Sequence, residues 1–325
     1  MNAKDVIDRL LASDEPSIRY KVRVGVLGED TDSRGIKRLR KEIQHSPRVQ
    51  KLLSERQADG TLPHHAYSKW RGAHWVLSIL VDLGYPPGEK SLEPMVDQMR
   101  SWALSQRIRV IDGRPRRCAS QEGNALLSLH RLGFADGRCD VLAARLLECQ
   151  WPDGGWNCDK KPEARHSSFH ESLIPLRALN AHAKATKSRK VKAAAKAAAE
   201  MFLDRKLYRR KTNGNIIRTE FAKTHYPYFW HYNFLHGLKA MVEAGLVRDP
   251  RCNDALDLLE SKQLPDGGFP AECKRYSVRT DKEQREKTGQ TLVDWGPTST
   301  PRQRCSNDFV TAESLSALAA AGRLK

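Results

Sequence analysis

Apolar residues recur three positions apart in five stretches of the chain, and this spacing predicts helices with one buried face. A degenerate sixth copy, Lys21/Val24/Leu27, lies near the N-terminus. Glycine follows most copies, as expected where a helix ends in a residue that tolerates positive φ. We call these six predicted elements the inner helices. The five regular copies are Leu77/Leu80/Leu83, Leu126/Leu129/Leu132, Leu173/Leu176/Leu179, Leu235/Leu238/Met241 and Leu315/Leu318/Ala321.

Further amphipathic stretches alternate with the inner helices. A helical hairpin cannot bury its apolar face alone, whereas a ring of six helix pairs leaves no end uncovered. No stretch shows the strict alternation of a β-strand. The sequence therefore predicts a single all-α domain over residues 1–325, an (α/α)6 toroid of six inner and six outer helices. The N-terminal helix is predicted to close the ring against the C-terminal helix. The predicted outer stretches are 4–12, 37–56, 91–107, 139–149, 190–207 and 252–262.

Asp-Gly or Asn-Gly pairs recur along the chain, and two of them lie in closely similar segments. These segments are Gln150 to Trp156 (QWPDGGW) and Gln263 to Phe269 (QLPDGGF). In each, proline ends the preceding helix, Asp-Gly-Gly allows positive φ, and the final aromatic residue can fold back as an anchor. Further turns between helix pairs are predicted at Asp59-Gly60, Asp112-Gly113 and Asn213-Gly214.

The two similar segments resemble the QW-type repeats of the squalene cyclase and prenyltransferase superfamily. Over residues 16–324 the chain is similar to a group of bacterial single-toroid proteins that carry such repeats. The resemblance implies a helical toroid that binds an isoprenoid-like molecule in a central cavity. Two features differ from the superfamily: the aspartate-rich DxDD acid of the class II cyclases is absent, and the Asp, Cys and His zinc set of the protein prenyltransferases has no position-by-position counterpart.

Candidate catalytic residues follow from the helical angle. A residue two positions before the first apolar residue of an inner helix lies roughly 200° from the buried face, so it is predicted to point into the centre. Glu171 and Glu313 are then candidate acids or bases. His74 and His170, which lie one residue earlier in their copies, and the nearby His231 are candidate proton carriers. We expect Glu171 or Glu313, hydrogen-bonded to His170 or His74, to move a proton.

Other polar and aromatic residues near the predicted centre are candidates for binding a substrate. The alternative is a hydrated centre in which polar groups bond only one another and water. The substrate-binding candidates are Arg19, Trp75, Asn124, Trp230, Tyr232, Asn233 and Trp295.

A zinc site is a second hypothesis. Cys158, His166 and His170 form a C-x7-H-x3-H pattern, and Cys118 or Cys305 would supply a fourth ligand. Only half of the usual paired knuckle is present, so buried reduced cysteines that behave as small apolar residues are the alternative.

The charge balance gives a third hypothesis. Lys and Arg number 56 against 39 Asp and Glu, a net charge of +17, and many of the basic residues fall in 184–211. This excess favours an anionic partner, and a nucleic acid bound on the basic outer surface is one alternative to a solvated helix face.

Residues 272–304 form a long polar insert with a single tryptophan, Trp295. Such loops are often lids, so we predict a lid over the pore, with an ordered edge segment as the alternative.

Seven scattered cysteines, the lack of a secretory leader and the lack of a long apolar run indicate a cytoplasmic protein with reduced thiols, expected to be a monomer. Together these features favour an enzyme of the cyclase or prenyltransferase type that acts on a small or lipid-like anionic substrate.

Overall fold

The computed structural model describes residues 2–279 and 289–324, and within them the chain is mostly helical, as predicted. The α-helices of these residues are α1 (Ala3–Leu11), α2 (Pro16–Gly25), α3 (Arg34–His45), α4 (Pro47–Leu53), α5 (Ala73–Leu83), α6 (Glu93–Ser105), α7 (Ala119–Arg131), α8 (Gly137–Glu148), α9 (Phe169–Thr186), α10 (Arg189–Leu203), α11 (Phe234–Ala244), α12 (Asn253–Glu260) and α13 (Asp308–Ala321). The short strands are β1 (Arg109–Ile111), β2 (Arg114–Arg116), β3 (Ser277–Val278) and β4 (Gln290–Thr291).

Helix ends follow local capping chemistry. Asn2 and Asp5 form a reciprocal capping box at the start of α1, and Asn307 accepts a hydrogen bond from the backbone N–H of Val310 at the start of α13. At the other end, Gly84 and Gly322 adopt positive φ angles of 85° and 75° after α5 and α13. Among the inner helices, α2, α11 and α13 begin at a side-chain cap, and α5, α11 and α13 end at a glycine with positive φ.

The six predicted inner helices are α2, α5, α7, α9, α11 and α13, and they contact one another in a closed cycle. Each contacts the next in chain order, and α13 contacts α2. The helices α7 and α9 pack closely at Gly123, where an added Cβ would lie 2.8 Å from the backbone nitrogen of Pro175. The cycle surrounds a centre onto which residues from all six helices converge.

The remaining helices pack outside this cycle. The predicted outer stretches near 91–107, 139–149, 190–207 and 252–262 correspond to α6, α8, α10 and α12. The stretch 37–56 is instead two helices, α3 and α4, because Ser46 caps α4 and Pro47 occupies its first position. The N-terminal helix α1 packs mainly on α2 and reaches α13 through an Arg9–Asp308 ion pair of 3.5 Å.

The two similar glycine turns make equivalent hydrogen bonds. Gln150 donates from Nε2 to the Gly154 carbonyl at 2.7 Å, and Gln263 donates in the same way to Gly267 at 3.0 Å. The Trp156 backbone N–H donates to a hydroxyl of α9, and that of Phe269 donates to a hydroxyl of α13. The sequence similarity therefore reflects a repeated local structure.

Two short sheets depart from the expectation of no strands. Asp112-Gly113 is the turn of the β1–β2 hairpin, rather than a direct connection between two helices, because both residues adopt positive φ. β3 and β4 pair in parallel within the 272–304 insert. Part of that predicted lid, residues 280–288, lies outside the described residues. None of the described helices is long and apolar enough to cross a membrane.

Candidate functional site

A non-helical segment, residues 226–229, lies among the inner helices and was not anticipated as a central feature. Tyr226 stacks on Phe309 of α13 with a centroid distance of 4.4 Å, and its hydroxyl donates to Asp82 of α5 at 2.6 Å. Phe229 stacks on Trp70 at 3.9 Å. This central segment is buried, so it fills part of the space between the inner helices. Its aromatic density between two helical stretches was the available sequence signal.

A cavity of about 490 Å³ lies at the C-terminal ends of the inner helices. We call it the charged cavity, because its lining includes six basic and four acidic side chains. The basic residues are Lys21, Lys37, Arg40, Arg131, Arg177 and Lys239, and the acidic residues are Asp32, Asp82, Glu243 and Glu313.

Two lysines and two carboxylates form a network on one wall of the charged cavity. Lys21 donates to Asp82 at 2.9 Å and to Glu313 at 2.6 Å, and Lys239 donates to the same two carboxylates at 2.6 and 2.7 Å. Both lysines reach the same oxygen of Glu313, Oε1. Among the described residues, no hydrogen-bond donor reaches Glu313 Oε2.

Burial and charge oppose each other in this network. Burial alone would lower the pKa of Lys21, but the charges of Asp82 and Glu313 outweigh it and raise that pKa above its ordinary value. Burial would likewise raise the pKa of Asp82, but Lys21 and Lys239 hold it well below its ordinary value. Lys21 and Asp82 are therefore both charged near neutral pH, each stabilised by the other.

Arg177 and Glu243 form a second ion pair on the lining of the charged cavity. The guanidinium donates two hydrogen bonds to the carboxylate, of 2.7 and 2.8 Å. Burial would raise the pKa of Glu243, but the Arg177 charge lowers it to about 2.

Arg40 differs from these cations because its hydrogen bonds go to neutral oxygens. It donates to the Tyr85 carbonyl at 3.2 Å and to the Tyr20 hydroxyl at 2.9 Å. Within residues 2–279 and 289–324 it has no acidic partner, and its buried Nε has no hydrogen-bond partner. Arg40 thus presents a positive charge at the cavity that no carboxylate offsets.

A different group of reactive side chains lies at the N-terminal ends of the inner helices. The ligand atoms of Cys118, Cys158 and Glu171 lie within 4.8 Å of one another, and we call this group the thiol–carboxylate cluster. Cys158 Sγ donates to Glu171 Oε1 at 3.5 Å, and the Ser120 backbone N–H donates to Oε2 at 3.1 Å. A hydrogen bond from Cys158 lowers the pKa of Cys118, whereas burial raises the pKa of Glu171.

The two candidate catalytic carboxylates lie at different distances from the start of their helices. Glu171 lies three residues after the start cap of α9, whereas Glu313 lies six residues after the start cap of α13. The apolar spacing identified the helix face but carried no information on where each helix begins. Glu171 therefore belongs to the thiol–carboxylate cluster and Glu313 to the charged cavity.

The expected carboxylate–imidazole pairs are not formed. His170 Nδ1 accepts from the Tyr232 backbone N–H at 2.9 Å, and His74 Nε2 lies 3.2 Å from Asn124 Nδ2. Burial lowers the pKa of His74 to about 3, that of His170 to about 4 and that of His231 to about 3. These imidazoles are neutral near pH 7, so the expected pairing was wrong on geometry and charge.

Several predicted substrate-binding residues have structural partners instead. Arg19 pairs with Glu42 of the outer helix α3 at 3.0 Å, so it does not point into the centre. The Tyr232 ring packs on Phe202 of α10, and Asn233 caps α11 by accepting from the His236 backbone N–H. Arg19 thus forms an ion pair, Tyr232 contributes to packing and Asn233 caps a helix.

The aromatic candidates lie in clusters of aromatic side chains, in which Trp75 and Trp295 are buried and Trp230 is half-buried. Trp75 packs edge-on against Trp70 with a centroid distance of 4.8 Å, and Trp230 stacks on His231 at 4.2 Å. Trp295 is fully buried, and its ring lies edge-on to Tyr226 of the central segment with a centroid distance of 5.6 Å. The remaining substrate-binding candidate, Asn124, lines a small space of about 30 Å³ beside the central segment.

The proposed zinc triad of Cys158, His166 and His170 is not brought together. His166 is exposed, and His170 is hydrogen-bonded to the chain before α11. The cluster that forms around Cys158 contains Cys118 and Glu171 instead.

In the basic region, Lys190, Lys192 and Lys196 lie exposed on α10.

Comparisons with known proteins give limited information. No family model matches the chain, and no curated protein matches it. A crystal structure of a protein from Actinoplanes is similar at 16% identity and a TM-score of 0.45, covering 99% of this chain and 100% of that chain. A GH76 α-mannanase from Bacteroides thetaiotaomicron is similar at 12% identity and a TM-score of 0.45, covering 98% of this chain and 93% of that chain. At this level of likeness, neither structure defines the activity of this protein.

Proposed function

We propose that the protein is an (α/α)6 toroid enzyme that binds a small anionic substrate in the charged cavity and exchanges a proton with it. The observation that carries the proposal is the cavity of about 490 Å³ with ten charged side chains on its lining. Concave sites between helices with a few convergent polar groups are common places for ligands. The closed cycle of contacts among the inner helices supports the toroid part of the proposal.

The charge of the lining supports an anionic substrate. Its six basic and four acidic side chains leave an excess of two positive charges. Arg40 is the best anchor, because its charge is opposed by neutral oxygens only and its planar fork matches a phosphate or carboxylate group.

Glu313 is the group we assign to proton transfer. Its Oε1 is fixed by Lys21 and Lys239, which orients the carboxylate, while Oε2 receives no hydrogen bond from the described residues. A carboxylate held in this way can accept a proton from a bound molecule at Oε2 and return it.

The lining also bears on the predicted cyclase or prenyltransferase type of reaction. A long isoprenoid chain would bury apolar surface against charged groups, which costs free energy unless those groups keep their partners. A small polar anion suits the charged cavity better, so we favour it over a lipid-like substrate.

Binding of small anions tests the proposal. Inorganic phosphate, diphosphate and citrate would be titrated into the protein by calorimetry, and native mass spectrometry would identify any co-purified ligand. We expect at least one anion to bind, and Arg40→Gln to weaken it by at least about tenfold, the effect of losing one charged hydrogen-bonding partner. Glu313→Gln should retain binding but lose turnover of the identified ligand or its relatives.

A matched control is Lys196→Gln, which removes an exposed charge on α10 and should leave binding unchanged. The proposal is overturned if none of the anions binds and no ligand co-purifies, or if Lys196→Gln and Arg40→Gln weaken binding equally. Equal weakening would indicate a general response to the net charge of the protein.

A further inference from the structure

We propose that Cys118, Cys158 and Glu171 bind a Zn²⁺ ion at the N-terminal ends of α7 and α9, with a fourth coordination position left open. The site is separate from the charged cavity, since the thirteen residues of α7 place its two ends about 18 Å apart. The inference therefore does not rest on the proposed function.

The spacing of the three ligand atoms fits a tetrahedral ion. With Zn–S distances of about 2.3 Å and Zn–O distances of about 2.0 Å, tetrahedral geometry separates a sulfur and an oxygen by about 3.5 Å and two sulfurs by about 3.8 Å. Cys158 Sγ and Glu171 Oε1 are 3.5 Å apart, and all three ligand atoms lie within 4.8 Å of one another. A small inward movement of the thiols would complete the three ligand contacts.

The surrounding backbone holds each ligand in place. Cys118 immediately precedes α7, and the Ser120 N–H of the first turn donates to Glu171 Oε2, which leaves Oε1 facing the two thiols. The Arg117 N–H donates to the Asn157 carbonyl at 3.0 Å, which ties the residue before Cys118 to the residue before Cys158. Hydrogen bonds of this kind orient ligands and tune metal affinity.

The ligand types favour zinc. Two thiolates bind soft or borderline ions such as Zn²⁺ more strongly than Mg²⁺ or Ca²⁺, which prefer all-oxygen sites. Structural zinc sites usually have four protein ligands, whereas catalytic sites have three and keep one position for water or substrate. Cys118 and Cys158 are only half-buried, so a fourth ligand from solvent can reach the ion.

Metal content tests the site directly. The full chain would be purified under reducing conditions without chelators, dialysed against limiting zinc and analysed for bound metal. We expect one zinc per chain, and at least about tenfold weaker binding in Cys118→Ser, Cys158→Ser and Glu171→Gln, measured by competition with a chromogenic chelator. Cobalt substitution should give a thiolate-to-metal charge-transfer band that is weaker in each serine variant, because each keeps only one of the two thiolates.

Cys305→Ser is the matched control, because Cys305 is also half-buried and lies just before an inner helix, α13. It should bind zinc as the unmodified protein does, and circular dichroism should show that all variants are folded. The proposal is overturned if the unmodified protein binds no zinc, if all variants bind it equally, or if mass and thiol counting show Cys118 and Cys158 joined as a disulfide.

Discussion

Buried imidazoles are an unusual feature of this molecule at the scale of single residues. His74 is fully buried, His225 and His236 are nearly so, and each has a ring nitrogen without a hydrogen-bond partner. Burial is the main reason why the pKa of all three is lowered. A buried imidazole that must stay neutral makes the folded state sensitive to acid.

We predict that stability falls as the pH decreases through the range in which unfolded histidine takes up a proton. The folded-state pKa of His74 is about 3, below its ordinary value of 6.5. The contribution of neutral His74 to the free energy of unfolding is therefore complete above about pH 6.5 and is lost as the pH falls toward 3. In that range only the unfolded chain binds the proton, so the free energy of unfolding falls by about 1.4 kcal/mol per pH unit for each such histidine.

Urea unfolding measured between about pH 7.5 and pH 5 checks this prediction. His74→Gln keeps an acceptor for Asn124 and removes the titrating ring. The number of protons taken up on unfolding, which sets the slope of the unfolding free energy against pH, should therefore decrease by about one. His45→Gln is the control, since His45 lies exposed on α3 and its replacement removes no buried imidazole. An unchanged slope in His74→Gln would contradict the prediction.

The candidate site was partly predictable from single residues. Glu313 was identified because its position relative to the apolar spacing defines a helix face, and it does line the charged cavity. Its partners Lys21 and Lys239, and Asp82, which shares both lysines, were not identified because they come from helices far apart in sequence. Cys118 was suggested only as an auxiliary ligand, since nothing in the sequence shows that it meets Cys158 and Glu171.

At the scale of elements, the contact between α7 and α9 depends on the absence of a side chain. Gly123 faces the backbone around Pro175, which lies inside α9 and cannot donate a backbone hydrogen bond there. Because Gly123 has no side chain, α7 and α9 can pack closely there. We infer that this close packing brings Cys118 near Glu171.

We predict that Gly123→Ala destabilises the protein by about 1–3 kcal/mol, because its Cβ would lie 2.8 Å from Pro175 N and force the helices apart. In an open helix position the same substitution would be favourable. Gly137→Ala in α8 is the matched control, since its Cβ would meet nothing within 4 Å, and it should be neutral or slightly stabilising. Equal unfolding free energies for the two variants would refute the packing argument.

The inner helices were predicted well because a three-residue apolar spacing directly reports a buried helical face. Their starting points were less visible, so Glu171 and Glu313 were assigned to one layer when they occupy different depths. The β1–β2 hairpin was missed because Asp112-Gly113 suits a helix connection as well as a tight strand turn. The central segment 226–229 has no period at all, and only its aromatic residues hinted at burial.

At the scale of the whole molecule, the beginning and end of the described chain lie near each other. Asn2, Ala3 and Leu324 line the same shallow groove, next to Ile7 and Leu11 of α1. This follows from the closed contact cycle, in which α13 returns to α2.

We predict that a circular permutant folds. The ends would be joined by a Gly/Ser linker of roughly six residues, and new ends opened at Asn213-Gly214, an exposed turn where Gly214 has positive φ and open space around it. The far-ultraviolet circular dichroism and the thermal midpoint should stay close to those of the unmodified protein. A control permutant opened inside α9 should fail to fold, and failure of both would contradict the proximity of the ends.

The contact between α13 and α2 also affects how the molecule should unfold. In an open helical array, the first and last repeats have one neighbour each, so they melt before the middle. Here every inner helix has a neighbour on both sides, so there is no weak terminus from which loss of structure can spread. We predict that hydrogen exchange would show no loss of protection that begins at α2 or α13, because both are packed on two other inner helices.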